Sequence, residues 1–210
     1  MSFRPPYGAV WNLPIRYRTE VTNARARLSR DQWIDAAFQA LTSHGPDAVA
    51  VEKVARTLGS TKGSFYWHFA NRDELLQAAL GRWEVLATER LISSVESSGE
   101  PAEVRLRRLV DSVTTGLAGR HAELELLAGI GHPLVSAAVR RVTERRVTYI
   151  VTLLVDLGMD RQKAEHRGVL AYSMYLGQMQ LVHSAPDVVP GSGADAQALA
   201  DEFVNMVLAR

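Results

Sequence analysis

The chain has 210 residues, 47% of them apolar, enough for a sizeable core in one large domain or in a small domain joined to a medium one. It has no cysteine, which excludes a disulfide scaffold and thiolate chemistry, and no apolar run near the roughly 20 residues that span a bilayer. The net charge of +1 conceals an asymmetry: residues 1–80 hold 10 Lys+Arg against 7 Asp+Glu, whereas residues 81–210 hold 14 against 16. A basic end beside a nearly neutral remainder points to a polyanionic partner. The stretch "MSFRPPYGAVWNLPIRYRTE" lacks the continuous apolar segment of a secretory leader, so a cytoplasmic location away from the membrane is expected.

Residues 1–28 carry Pro5, Pro6 and Pro14 and several arginines without a sustained period, and they read as a flexible basic arm. At Ser29 the pattern changes. Ser29 and Gln32 have capping-box spacing, and Trp33, Ile34, Ala37, Phe38 and Leu41 recur as one helical stripe. Gly45-Pro46 stops that helix. A second helix, about Val51 to Leu58, has Val51, Val54, Ala55 and Leu58 on its buried face, with Gly59 as a left-handed cap. Gly59-Ser60-Thr61 is a turn of helix-turn-helix length, and Thr61 can cap a third helix from Lys62 to Phe69. Asn71 opens a long fourth helix reaching about Ser97, again with capping-box spacing to Glu74. Further helices are expected over about Ala102–Ala118, Ala122–Gly129, Pro133–Leu157, Asp160–His183 and Ala194–Ala209. The fold class is therefore all-α, with about nine helices and no strand. The expected division is an arm at 1–28, a helix-turn-helix domain at 29–80 and a larger helical domain at 81–210.

The third helix, "KGSFYWHF", carries the most informative pattern. At 100° per residue Phe65 and Phe69 point one way, into the core, and Trp67 points the other, flanked by Gly63, Ser64 and His68. Tyr66 falls between. A glycine inside a helix costs about 1 kcal/mol relative to alanine, which makes sense where a partner approaches the backbone closely. The second helix of a helix-turn-helix meets such a partner, because it lies in the major groove of DNA.

The segment "VEKVARTLGSTKGSFYWHFANRDELL" resembles the DNA-binding segment of the tetracycline-repressor (TetR) family of bacterial transcription regulators. The shared features are the glycine turn, the Lys-Gly entry to the recognition helix, the Tyr-x-His-Phe ending and a basic residue opening the next helix. By position, the resemblance implies that Thr61, Lys62, Gly63 and Ser64 enter the groove and that Trp67 touches bases. Tyr66, His68 and Arg72 match phosphate-contacting positions, and Lys53 and Arg56 add backbone contacts. An indole donates one hydrogen bond and packs on a thymine methyl, but does not read guanine bidentately. Two departures stand out. Ala50 replaces the usual Ser or Thr cap of the second helix, and the N-terminal extension exceeds the usual short lead-in.

For the remainder, the resemblance implies a domain that binds a small-molecule effector and forms a homodimer on a palindromic double-stranded DNA operator. Val169, Tyr172, Leu176 and Gln180, with Leu199, Phe203, Met206 and Val207 of the final helix, form stripes suited to that interface, and Gly168 and Gly177 permit close approach. The other reading of these stripes is monomer core. Trp83, Tyr149, Met174, Tyr175, Gln178 and Met179 are candidates for a mostly apolar pocket, against a core reading. "RRVTERR", Arg140 to Arg146, reads as a solvated face or as an anion attractor. The expected activity is that of a repressor released by its effector. An activator, a helical enzyme or an architectural DNA binder remain as alternatives. No cofactor or metal is expected: His121, His132, His166 and His183 lack compact ligand spacing, Gly129-Ile130-Gly131 follows no strand, and no phosphate-binding loop or nucleophile elbow occurs.

Overall fold

The computed structural model describes residues 28–114, 121–190 and 193–209. Among these residues the chain is helical, without strands. The expected basic arm lies outside the described residues, apart from Leu28. Helix α1, Arg30–His44, starts at the expected box: the Gln32 amide donates to the Ser29 hydroxyl, and the Ser29 amide donates to the Gln32 side chain. Helix α2, Val51–Thr57, begins at Ala50 with no side-chain cap, as its sequence dictates. Gly59, at φ +60°, turns the chain toward α3, Lys62–Phe65.

Helix α3 is shorter than its sequence suggests. Beyond Phe65 the chain tightens: the Trp67 amide donates to the Ser64 carbonyl and the His68 amide to the Phe65 carbonyl, both three residues back. Consecutive aromatics and Gly63 are weak helix formers, so the tighter turn costs little there.

Helix α4 runs unbroken through three segments, Arg72–Glu84, a π-helical turn Val85–Glu89, and Arg90–Glu96. It begins at Asn71, whose side chain accepts from the Glu74 amide at 2.9 Å. After it come α5 (Ala102–Thr114), α6 (His121–Ala128), α7 (Pro133–Asp156), α8 (Arg161–Ser184) and α9 (Gly193–Leu208).

Apolar burial divides into two large clusters and a small one. The first joins α1, α2, α3 and the start of α4, and it also takes Leu126 from α6 and Val135, Ala138, Val139 and Val142 from α7. Its centre is aromatic, with Trp33 edge-on to Phe65 at 5.6 Å and Phe65 stacked on Phe69 at 5.5 Å. The second joins the far end of α4 with α5, α7, α8 and α9. Tyr172, Tyr175 and Met179 of α8 form the third. The helix-turn-helix core therefore continues across residue 80 into α6 and α7. Gly129 makes this possible at one point, since a Cβ there would lie 2.9 Å from Pro46 Cδ.

Candidate DNA interface and interior cavity

One end of the molecule presents the helix-turn-helix. The Thr61 hydroxyl accepts from the Ser64 amide at 3.3 Å, fixing the start of α3. From that start Phe65 and Phe69 turn inward and are buried, while Trp67 is 74% exposed and Tyr66 56%. Gly63 is exposed, and a Cβ added to it would meet only the Thr61 hydroxyl, at 3.7 Å. Nothing inside the protein therefore requires a glycine at 63. Lys53, Arg56 and Lys62 are exposed on the same end, with Lys62 Nζ 2.7 Å from Glu52 Oε1. Such an exposed pair is screened by water and yields readily to a phosphate. His68 is half-buried, and its Nε2 is enclosed without a hydrogen-bond partner.

Arg72, expected at a phosphate, holds the local fold together. Its Nε donates to the Val49 carbonyl at 2.8 Å and its Nη2 to the Pro46 carbonyl at 2.6 Å. The guanidinium thus clasps the turn between α1 and α2 to the start of α4, adding a charge-assisted donor to the Pro46 carbonyl, which also accepts from the Val49 amide at 3.2 Å.

At the other end, a cavity of ≈ 60 Å³ lies among α4, α5, α7, α8 and α9. Its walls are mostly aliphatic and aromatic, with Leu91, Leu106, Val110, Ile150 and Phe203 among them, and include Thr88 and Arg146. Beside it sits a buried ion pair. Arg146 Nη1 lies 2.5 Å from Glu123 Oε1, with the two side chains 12% and 6% exposed. Arg146 Nε also donates to Thr88 Oγ1 at 3.0 Å and its Nη2 to the Ala87 carbonyl at 3.1 Å, both in the π turn of α4. The Tyr175 hydroxyl donates to Glu123 Oε2 at 2.9 Å. Burial opposes the Arg146 charge, but Glu123 outweighs it and holds the guanidinium above its ordinary range. Arg141 and Arg145 pair with Glu84 and Glu89, so three arginines of α7 grip the same turn.

Residues 34–79 match the profile of bacterial regulatory proteins of the tetR family. Over 59 residues the chain is 39% identical to TtgW, an uncharacterized HTH-type transcriptional regulator of Pseudomonas putida, covering 28% of this chain and 44% of that protein. It is 28% identical over 138 residues to the regulator SrpR of Pseudomonas putida, covering 63% of this chain and 62% of SrpR. Less than two thirds of either relative is therefore spanned. Residues 34–79, which carry the helix-turn-helix, are similar to the DNA-binding segment of the TetR family. The fold agrees over most of its length with a TetR transcriptional regulator from Legionella pneumophila, at a TM-score of 0.67 and 13% identity, covering 87% of this chain and 98% of that one.

The helix-turn-helix thus matches a DNA-binding unit of bacterial regulatory proteins, and the relatives named above are transcription regulators. Among the described residues no group of three or more side chains is arranged to hold a metal, and no helix is long and apolar enough to cross a membrane.

Of the six side chains expected at a pocket, Tyr149 and Tyr175 lie on the cavity wall. Trp83 does not: it is buried in the first core, because the apolar face of α4 is still turned toward α1 and α7 at that point. Met179 is buried in the third cluster, Met174 packs on the second, and Gln178 has its Oε1 enclosed without a partner, all off the cavity wall. Tyr172, Phe203 and Val207, expected at an interface, instead face the cavity. Gly168 makes its close approach within the chain, where a Cβ would lie 2.7 Å from Val151 Cγ2 of α7. Val169, Gln180 and Met206 are exposed, and Leu176 and Leu199 are half-buried.

Sequence reasoning missed Glu123 and the pairing of Arg146 with it. The available signal was Glu123 within the largely apolar run "AELELLA", an acid that needs a partner once its helix face is buried. The arginine run is neither wholly solvated nor an open anion site: Arg140 is exposed, while Arg146 is buried against Glu123.

Proposed function

We propose that the protein is a homodimeric repressor that leaves a palindromic operator when a small molecule enters the cavity. The observation that carries this reading is the pairing of an outward Trp67 beside an unfilled Gly63 with a cavity whose wall is the π turn of α4. Trp67 reads a base edge from the major groove, with Thr61, Lys62, Gly63 and Ser64 at the entry and Tyr66, His68 and Lys53 on phosphates. Arg72 supports this face by holding the start of α4.

A second copy docks on the exposed stripe of α8, comprising Val169, Leu170, Ser173, Gly177 and Leu181, together with Met206 of α9. Two-fold pairing supplies the second recognition helix that a palindrome needs. Benzene fills an apolar cavity of roughly 150 Å³, more than the ≈ 60 Å³ found here, so an occupant of that size parts the walls. Because Arg141, Arg145 and Arg146 grip residues 84–89, parting the walls moves α4, which also carries the helix-turn-helix. The ligand acts by its differential affinity for the two arrangements; a swing from 99:1 to 1:99 requires about 10⁴-fold.

The test is selection of binding sites from random duplex DNA, followed by competition with small apolar molecules. An enriched palindrome released by a ligand supports the reading, whereas a ligand that tightens operator binding replaces release with co-repression.

A further inference from the structure

Resting on that effector-site reading, the geometry points to the chemical class of the occupant: an uncharged, apolar molecule, with ions rejected by the self-neutralised Arg146–Glu123 pair. Five polar side chains stand on the cavity wall, and each spends its polar end on a protein partner. The Tyr149 hydroxyl donates to Glu96 Oε1 at 2.7 Å, and the Tyr175 hydroxyl to Glu123 Oε2 at 2.9 Å. The Tyr172 hydroxyl lies 3.5 Å from Thr143 Oγ1, and Thr88 Oγ1 accepts from Arg146. The ring faces and aliphatic groups are left toward the cavity.

An ion entering this space loses its water and gains no free counter-charge. An anion reaches the Arg146 charge only by displacing Glu123, which holds it through Nη1 at 2.5 Å and Nη2 at 3.4 Å. A cation reaches Glu123 only by displacing Arg146 and the Tyr175 hydroxyl. Breaking such a pair leaves a buried charge uncompensated, a cost larger than a new ligand contact returns. A neutral hydrocarbon or single aromatic ring disturbs none of these bonds.

Calorimetric titration of the full chain with toluene, benzoate and benzylammonium compares one ring bearing a neutral, an anionic and a cationic substituent. Toluene is expected to bind saturably, and both ions at least about tenfold more weakly. Equal affinity for either ion, or no saturable binding of toluene, overturns the inference. Glu123→Gln retains an acceptor for Tyr175 while exposing the Arg146 charge, so benzoate affinity should rise by about tenfold or more, with toluene essentially unchanged. An unchanged benzoate affinity in that folded variant removes the pair from its role as charge filter. Adding Arg146→Gln to Glu123→Gln should return benzoate to weak binding, which a purely structural effect of the first substitution would not do. Ala171→Leu fills the cavity and should abolish toluene binding; retained binding places the site elsewhere and overturns the inference. None of these titrations contains DNA. Selective toluene binding that leaves operator affinity unchanged would therefore sink the release mechanism and leave the ligand class standing.

Discussion

Gly63 and Trp67 form a pair in which stability and function pull apart. No side chain of the protein needs the space beside Gly63, and glycine in a helix costs about 0.5–1 kcal/mol relative to alanine. Gly63→Ala should therefore raise the unfolding free energy by about that amount while weakening operator binding; melting and binding curves on one preparation check both signs. Trp67→Ala should relax base preference at one step per half-site, by about 1–3 kcal/mol, in a selection run beside the parent chain. A uniform loss over all sequences would contradict its base-reading role. Arg72→Ala leaves two carbonyls without their charge-assisted donors and should cost about 1–3 kcal/mol of stability in denaturant unfolding. The salt slope of DNA binding should hardly change; a fall of about one would return Arg72 to the phosphates.

Between elements, the contacts that matter are the ones that join the two ends of the molecule. Helix α6 reaches the helix-turn-helix core through Leu126 and through Gly129 against Pro46, whose carbonyl Arg72 holds. Gly129→Ala places a methyl group against the rigid proline ring and should destabilise by about 1–3 kcal/mol, whereas Gly131→Ala, with open space around it, should not. Helices α4 and α7 meet through Tyr149 and Glu96, where the tyrosine hydroxyl, against the effect of burial, holds the Glu96 carboxyl below the usual carboxylate range. A carboxyl lowered in the folded state stabilises above its unfolded pKa and loses that contribution as pH falls through the lower folded value. Tyr149→Phe removes the leading cause of the depression, so acid unfolding of the variant should begin at higher pH; coincident acid transitions would contradict the assignment.

For the whole molecule, the proposed two-fold partner covers apolar side chains on α8 that the monomer leaves in water. Leu170 is 58% exposed, so Leu170→Asp should leave the monomer fold intact while raising the dimer dissociation constant by about tenfold or more, as seen by sedimentation. Operator affinity should fall in parallel, because one recognition helix spans only half a palindrome. A variant that stays dimeric and binds DNA normally would move the interface away from this stripe.

The sequence by itself determined the local structure: the Ser29, Thr61 and Asn71 caps, the Gly59 turn, the inward Phe65 and Phe69 and the outward Trp67. Each follows from interactions spanning a few residues, with one period and one face. Tertiary structure alone decided the rest. Trp83 and Tyr149 carry equally apolar rings, yet one fills the helix-turn-helix core and the other a cavity wall, because α4 changes neighbours along its length. Phe203 and Val207 make a stripe as suited to a partner as to an interior, and only the positions of α5 and α8 settle which. The buried pair was hidden most deeply, since Arg146 and Glu123 stand on different helices, 23 residues apart in sequence. A charge so placed reads as solvated until packing brings its partner and removes the water.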